Sequence, residues 1–136
     1  MKSSCHRRSF LGFFTAAIAA VATMGPFRLL AWGKEKWVSV GKVDDFLVGE
    51  AARIEDEKLY IFRGEEGFTA LSGKCTHAGC FVDRVADGTF ACPCHGATYT
   101  ETGAVTQGPA KEDLTWHPVK EENGELFVDV RGVIEM

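Results

Sequence analysis

Cys75-Thr76-His77-Ala78-Gly79-Cys80 and Cys92-Pro93-Cys94-His95-Gly96 are the two stretches that decide how this chain is read, with 14 residues between His77 and Cys92. Four of the 5 cysteines and two of the 4 histidines fall between positions 75 and 95. Such crowding points to metal chemistry. Two thiolates and two imidazoles could hold zinc tetrahedrally. Zinc modules usually draw a close Cys pair from one element and a close His pair from another, whereas each stretch here offers one of each kind. That arrangement suits a two-metal cluster with unlike ends, thiolates serving one iron and imidazoles the other. Gly79 and Gly96 lack a Cβ, so their backbone can approach cluster sulfur and aim amide N–H groups at it, which favours the electron-richer reduced state. Pro93 fixes φ and removes a competing donor.

The flanking sequence reads as strand. Trp37-Val38-Ser39-Val40, Lys58-Leu59-Tyr60-Ile61-Phe62-Arg63, Phe68-Thr69-Ala70-Leu71, Leu114-Thr115-Trp116-His117 and Leu126-Phe127-Val128-Asp129-Val130 are short and rich in β-branched or aromatic residues. Gly64-Glu65-Glu66-Gly67 and Asn123-Gly124 supply turns. Only Val43 to Ala52 has a helical look. The predicted fold is mainly β: a small antiparallel β-domain carrying one inserted Cys/His subdomain, about residues 73–110.

The chain has 136 residues and a formal net charge of −4. That length fits one domain. Hydrophobic residues at 46% and charged ones at 25% describe a folded globular chain. Mild acidity argues against a nucleic-acid partner, which would demand a basic surface. The charge is uneven. Residues 1–33 hold Lys2, Arg7, Arg8 and Arg28 and no acid, while residues 34–136 hold the other basic residues and all 19 acidic ones. Ser9 to Phe27 is an uncharged, apolar run. As a helix it would span about 28 Å, near the thickness of a bilayer core.

A basic start before such a run is the layout of an export or anchor segment, and its charges place the following domain outside. His6-Arg7-Arg8-Ser9-Phe10-Leu11-Gly12 resembles the twin-arginine export signal at Arg7, Arg8, Phe10 and Leu11 and departs from it at His6 and Gly12. Such signals address proteins that leave the cytosol already folded, which suits a cofactor acquired there. Ala20-Val21-Ala22 would accept cleavage, while the length of the run favours a retained signal-anchor helix. The expected division is a signal and transmembrane anchor over 1–27, a tether over 28–36 and the β-domain over 37–136. Cys5 precedes the run and is expected as an unpaired thiol on the cytosolic side.

The paired stretches resemble the Rieske iron–sulfur family, which carries Cys-x-His and Cys-x-x-His around one 2Fe-2S cluster. The likeness spans about residues 37–130. It implies Cys75, His77, Cys92 and His95 as the metal and cofactor ligands. The branch found in cytochrome bc and bf complexes adds a disulfide, which implies a Cys80–Cys94 pair, and a Gly-Pro loop beside the cluster, matched by Gly108-Pro109-Ala110. An exported compartment is oxidising, and closing a loop of about fifteen residues contributes roughly 3 kcal/mol in the chain-entropy model. Tyr99 matches a tyrosine that bonds a cysteine sulfur; with Gly79, Gly96 and Pro109 it is expected to support the cluster. Three positions depart from the pattern. Ala97 replaces a serine whose hydroxyl bonds a bridging sulfide, which implies a lower potential and a lower-potential quinol such as menaquinol. Ala78 replaces a bulkier leucine, leaving the cluster less shielded. Lys111 stands where many relatives have proline.

The resemblance implies electron transfer. An electron would come from membrane quinol, with His77 and His95 coupling proton uptake to it, and pass to a cytochrome within a bc-type complex. Its partners would be a cytochrome b-type membrane subunit and a c-type cytochrome, with the domain on the periplasmic side of a bacterial cytoplasmic membrane. The alternative is an electron relay: the small subunit of an exported molybdenum oxidoreductase resembling arsenite oxidase, or a free periplasmic carrier. Ferredoxins of ring-hydroxylating dioxygenases lack the disulfide pair and fit less well. The sequence has no Ser-His-Asp set, phosphate loop or helical metal box, so no independent catalytic pocket is expected. His117, between Trp116 and Pro118, reads as structural. Glu55-Asp56-Glu57 and Glu112-Asp113 read as solvated surface, on an acidic domain that could be steered toward a basic cytochrome.

Overall fold

In the computed structural model, which describes residues 35–135, the apolar run after Lys58 becomes the central strand, β3 (Leu59–Arg63). It lies between β2 (Ala51–Ile54) and β4 (Phe68–Ser72), and β9 (Trp116–His117) completes a four-stranded antiparallel sheet in the order β2-β3-β4-β9. Strand side chains alternate between faces, and here both faces are covered. Leu59 and Ile61 enter one core with Phe46, Ala70, Leu126 and Val128, while Tyr60 enters a second core with Leu71, Val82, Phe90 and Tyr99. A strand buried on both sides shows no polar alternation, which is why Leu59-Tyr60-Ile61-Phe62 is apolar throughout.

The first core is closed by a three-stranded sheet, in which β1 (Trp37–Lys42) and β10 (Val119–Glu122) flank β11 (Glu125–Asp129). Asn123-Gly124 forms the expected two-residue hairpin turn, with φ of 54° and 78°. The second core lies under the insertion, which carries a small sheet of its own: β5 (Asp83–Arg84), β6 (Phe90–Ala91), β7 (Thr98–Tyr99) and β8 (Val105–Gln107). Mainly antiparallel β structure with an inserted subdomain is therefore what the chain forms. The helical look of Val43 to Ala52 is corrected. Only a single 3-10 turn, Val43–Asp45, forms, because the backbone from Ala51 onward pairs with β3, Ala51 facing Phe62 and Ile54 facing Leu59.

The twin-arginine motif, Cys5, the anchor and most of the tether lie outside the described residues. Among the described residues no helix is long and apolar enough to cross a membrane. His117 has the structural position expected of it: it is buried, and its Nδ1 donates to the Gly132 carbonyl at 2.8 Å.

Asp129 closes the same corner. Its buried carboxylate accepts from the Lys36 amide at 2.7 Å and the Arg131 amide at 3.1 Å. Burial pushes this carboxyl up, but the amides of Lys36, Arg131 and Gly132 outweigh it, with help from His117, and hold it below the usual carboxylate range. A folded-state pKa below the unfolded value gives stability that is complete above about pH 4 and is lost as pH falls through the folded value. Asp129→Asn is expected to lower unfolding free energy by about 2 kcal/mol at pH 7. Urea titrations should show that gap closing as the pH drops below about 4.

Candidate metal centre

The two Cys/His stretches fold into matching loops. In the first, the Cys75 amide donates to the Cys80 carbonyl at 2.8 Å and the Gly79 amide to the Cys75 carbonyl at 2.8 Å. In the second, the Cys92 amide donates to the Ala97 carbonyl at 2.7 Å and the Gly96 amide to the Cys92 carbonyl at 3.0 Å. Both are six-residue turns that open on a cysteine and reverse through a glycine. Gly79 and Gly96 have φ of +76° and +75°, left-handed backbone that a Cβ disfavours. At Gly96 no protein atom lies within 4 Å of where a Cβ would sit, so this φ, rather than crowding within the protein, is the requirement the structure shows.

Cys80 and Cys94 form a disulfide that ties the loops together. The Cys92 sulfur lies beside it, all three sulfurs being within 4.8 Å of one another. Because two of the three are bonded to each other, this trio is not a ligand set. Among the described residues the free thiols are Cys75 and Cys92, both buried in the second core. His77 and His95 are both exposed, their ring centroids 4.9 Å apart and their planes at 89°. The expected donors thus meet from two loops, sulfurs inward and imidazoles outward.

The sulfur end is built for thiolate. Burial pushes the Cys75 thiol up, yet hydrogen bonds from the Tyr99 hydroxyl, the His77 and Ala78 amides and the Cys92 thiol outweigh it, and the net shift is downward. Thiolate is the ligating form. Tyr99 lies 3.3 Å from the Cys75 sulfur and accepts from the Thr76 amide at 3.2 Å. Burial and the neighbouring sulfur push its phenol up, so it remains a donor at physiological pH. Thr76 gives its hydroxyl proton to the Glu112 carbonyl at 2.7 Å, and its oxygen lies 3.2 Å from the Tyr99 hydroxyl. Thr76 therefore straps the first loop to the segment after Pro109, a role hidden in the sequence behind the variable position of Cys-x-His. Ala97 is fully buried.

Pro109 lies beside His77, both lining a depression of about 270 Å³ with Thr76, Lys111 and Glu112. A larger depression, about 540 Å³, is lined by residues around β2, the β3–β4 turn and Arg84, with no Cys or His among them. Asp113, read as solvated, accepts from the Val105 amide at 2.8 Å, and Glu55 pairs with Arg53 at 2.6 Å.

Two buried thiols and two exposed imidazoles, offered from separate loops, fit a 2Fe-2S cluster with unlike ends better than one tetrahedral ion. Residues 36–120 match the Rieske [2Fe-2S] domain. The chain belongs to the Rieske family. That domain binds one 2Fe-2S cluster. This Rieske protein is similar to the cytochrome b6-f complex iron-sulfur subunit of Chlorobaculum tepidum, 33% identical over 139 residues covering 91% of this chain and 75% of that one. The corresponding subunit of Chlorobaculum thiosulfatiphilum is 32% identical over 136 residues, covering 90% and 74%. Among solved structures, the plasma membrane Rieske protein of Synechocystis PCC 6803 superposes with a TM-score of 0.53 at 33% identity, covering 68% of this chain and 98% of that one.

A donor on sulfur favours the reduced cluster, so Tyr99→Phe is expected to lower the midpoint potential while keeping the visible spectrum. Stability should fall by about 1–2 kcal/mol, since the Thr76 amide loses its acceptor. Protein-film voltammetry and thermal unfolding check the two effects separately.

Proposed function

We propose that this Rieske protein is the electron-transfer subunit of a cytochrome bc- or b6f-type complex, taking an electron from membrane quinol and passing it to a cytochrome. Cys75 and Cys92 hold one iron and His77 and His95 the other. The observation that carries the reading is the polarity of the donor set, with buried sulfurs behind and two exposed imidazoles in front. The names of the Chlorobaculum relatives, both cytochrome b6-f subunits, support the assembly. The disulfide favours this reading over a molybdenum-enzyme relay, and the sequence of residues 1–27 supports an anchor, with 28–36 as tether and the domain on the periplasmic side.

The bound cluster supplies a one-electron redox centre; the residues around it do the remaining work. Quinol oxidation releases a proton with each electron, and an exposed imidazole offers its free ring nitrogen as the acceptor. The buried Tyr99 and the exposed Thr76 together hold the first loop, so that His77 meets its partner in a fixed position. Pro109 and Lys111, beside His77, line the surface a partner would meet. No enclosed substrate cavity is required, because the donor docks against the histidine face.

Membranes of the native host, solubilised and fractionated by an antibody to this chain, should yield a haem b protein and menaquinol-dependent reduction of the cluster. A molybdenum subunit in its place would overturn the reading. Ala97→Ser should raise the midpoint, by adding a donor to bridging sulfide, with no change in which iron is reduced; equal midpoints would remove the expected tuning at this position.

A further inference from the structure

Lys58 is a non-glycine residue with left-handed backbone, φ 53°, at the end of the turn that joins β2 to β3. Glycine or asparagine would take that conformation at less cost, and a strained residue retained against such a cost is a place to look for function. Its carbonyl accepts from the Gly73 amide at 2.7 Å, which seats it beside the strand leading into the first Cys/His loop. From there its ammonium donates to the Gly79 carbonyl at 2.8 Å. Gly79 in turn bonds Cys75 through its own amide. The charge is thus fixed within one hydrogen-bonded turn of a proposed ligand cysteine.

Arg53 pairs with Glu55 and Asp83, at 2.6 Å each. Among the described residues no carboxylate lies within 4.0 Å of the Lys58 ammonium. The residue is half-buried, so salt screens it less than a free surface lysine. Lys74 covers the same glycine from another side, its Cε 3.1 Å from where a Gly79 Cβ would be. In a chain of net charge −4, two cations converge on one cluster loop.

The geometry points to Lys58 as a potential-setting residue, a fixed positive charge against the Cys75 loop that favours the reduced cluster. This rests on the ligand assignment proposed above. Two ferric ions, two sulfides and two thiolates sum to zero charge, so one electron leaves −1. A nearby cation stabilises that added charge, and Lys58 partly offsets the donor that Ala97 lacks.

The test uses the full chain, matured with its cluster, in wild-type form and as Lys58→Arg, Lys58→Gln and Lys58→Glu. Gln keeps a donor for the Gly79 carbonyl while removing the charge. Voltammetry at low and high salt should place the midpoints in the order Arg near wild type, then Gln, then Glu lowest, the spread narrowing with salt. Electron paramagnetic resonance of the reduced proteins should be unchanged. Midpoints for Gln and Glu equal to wild type overturn the inference. So does a Gln protein that folds but takes up no cluster, or a shift in Arg as large as that in Gln, because Lys58 would then be a loop support. A wild-type protein lacking a 2Fe-2S resonance with mixed sulfur and nitrogen ligation would remove the ligand assignment instead.

Discussion

The centre depends on two irregular loops being kept at a fixed separation. Neither is a strand, and their four candidate ligands come from positions up to 20 residues apart in sequence, on either side of the small β5–β8 sheet's first hairpin. The covalent tie between Cys80 and Cys94 holds them, and each loop is internally fixed by a pair of backbone hydrogen bonds in the same pattern. With the loops fixed, Cys75 and Cys92 become part of the hydrophobic core, and His77 and His95 can only face outward. Burial and exposure of the donors are thus set by the fold of the two loops.

That polarity gives the two ends of the donor set different surroundings. A buried thiolate end is shielded from water and surrounded by donors from Tyr99, His77 and Ala78. The imidazole end is free to meet a partner face to face. Beside His77 lies a depression of about 270 Å³ with Thr76 and Pro109 on its wall.

What was legible in the sequence was whatever neighbours along the chain could announce. The Cys/His spacing, the Asn123-Gly124 turn and the continuous apolar run of β3 each carry their meaning in consecutive residues. The pairing of Cys80 with Cys94 came with the family resemblance and is present in the structure. Strands β5, β6 and β7 were not legible, because two-residue segments carry no period. Val43 to Ala52 misled because the apolar spacing of Val43, Phe46 and Leu47 is helical, although only Phe46 is buried and Leu47 is 62% exposed. Thr76, Arg53 and Lys58 were silent for another reason. Their partners at Glu112, Asp83 and Gly79 lie 36, 30 and 21 residues away, and only the folded register brings them together.

The double-sided sheet has an evolutionary corollary. Because Tyr60 and Leu71 project from β3 and β4 into the core beneath the insertion, that module cannot be clipped out to leave a self-sufficient pair of sheets behind. Excision between Gly73 and Pro109 would strand an oily wall in water. Lineages that inherit this architecture can restyle the loops around the iron, but they must keep scaffold and module as a single hereditary unit.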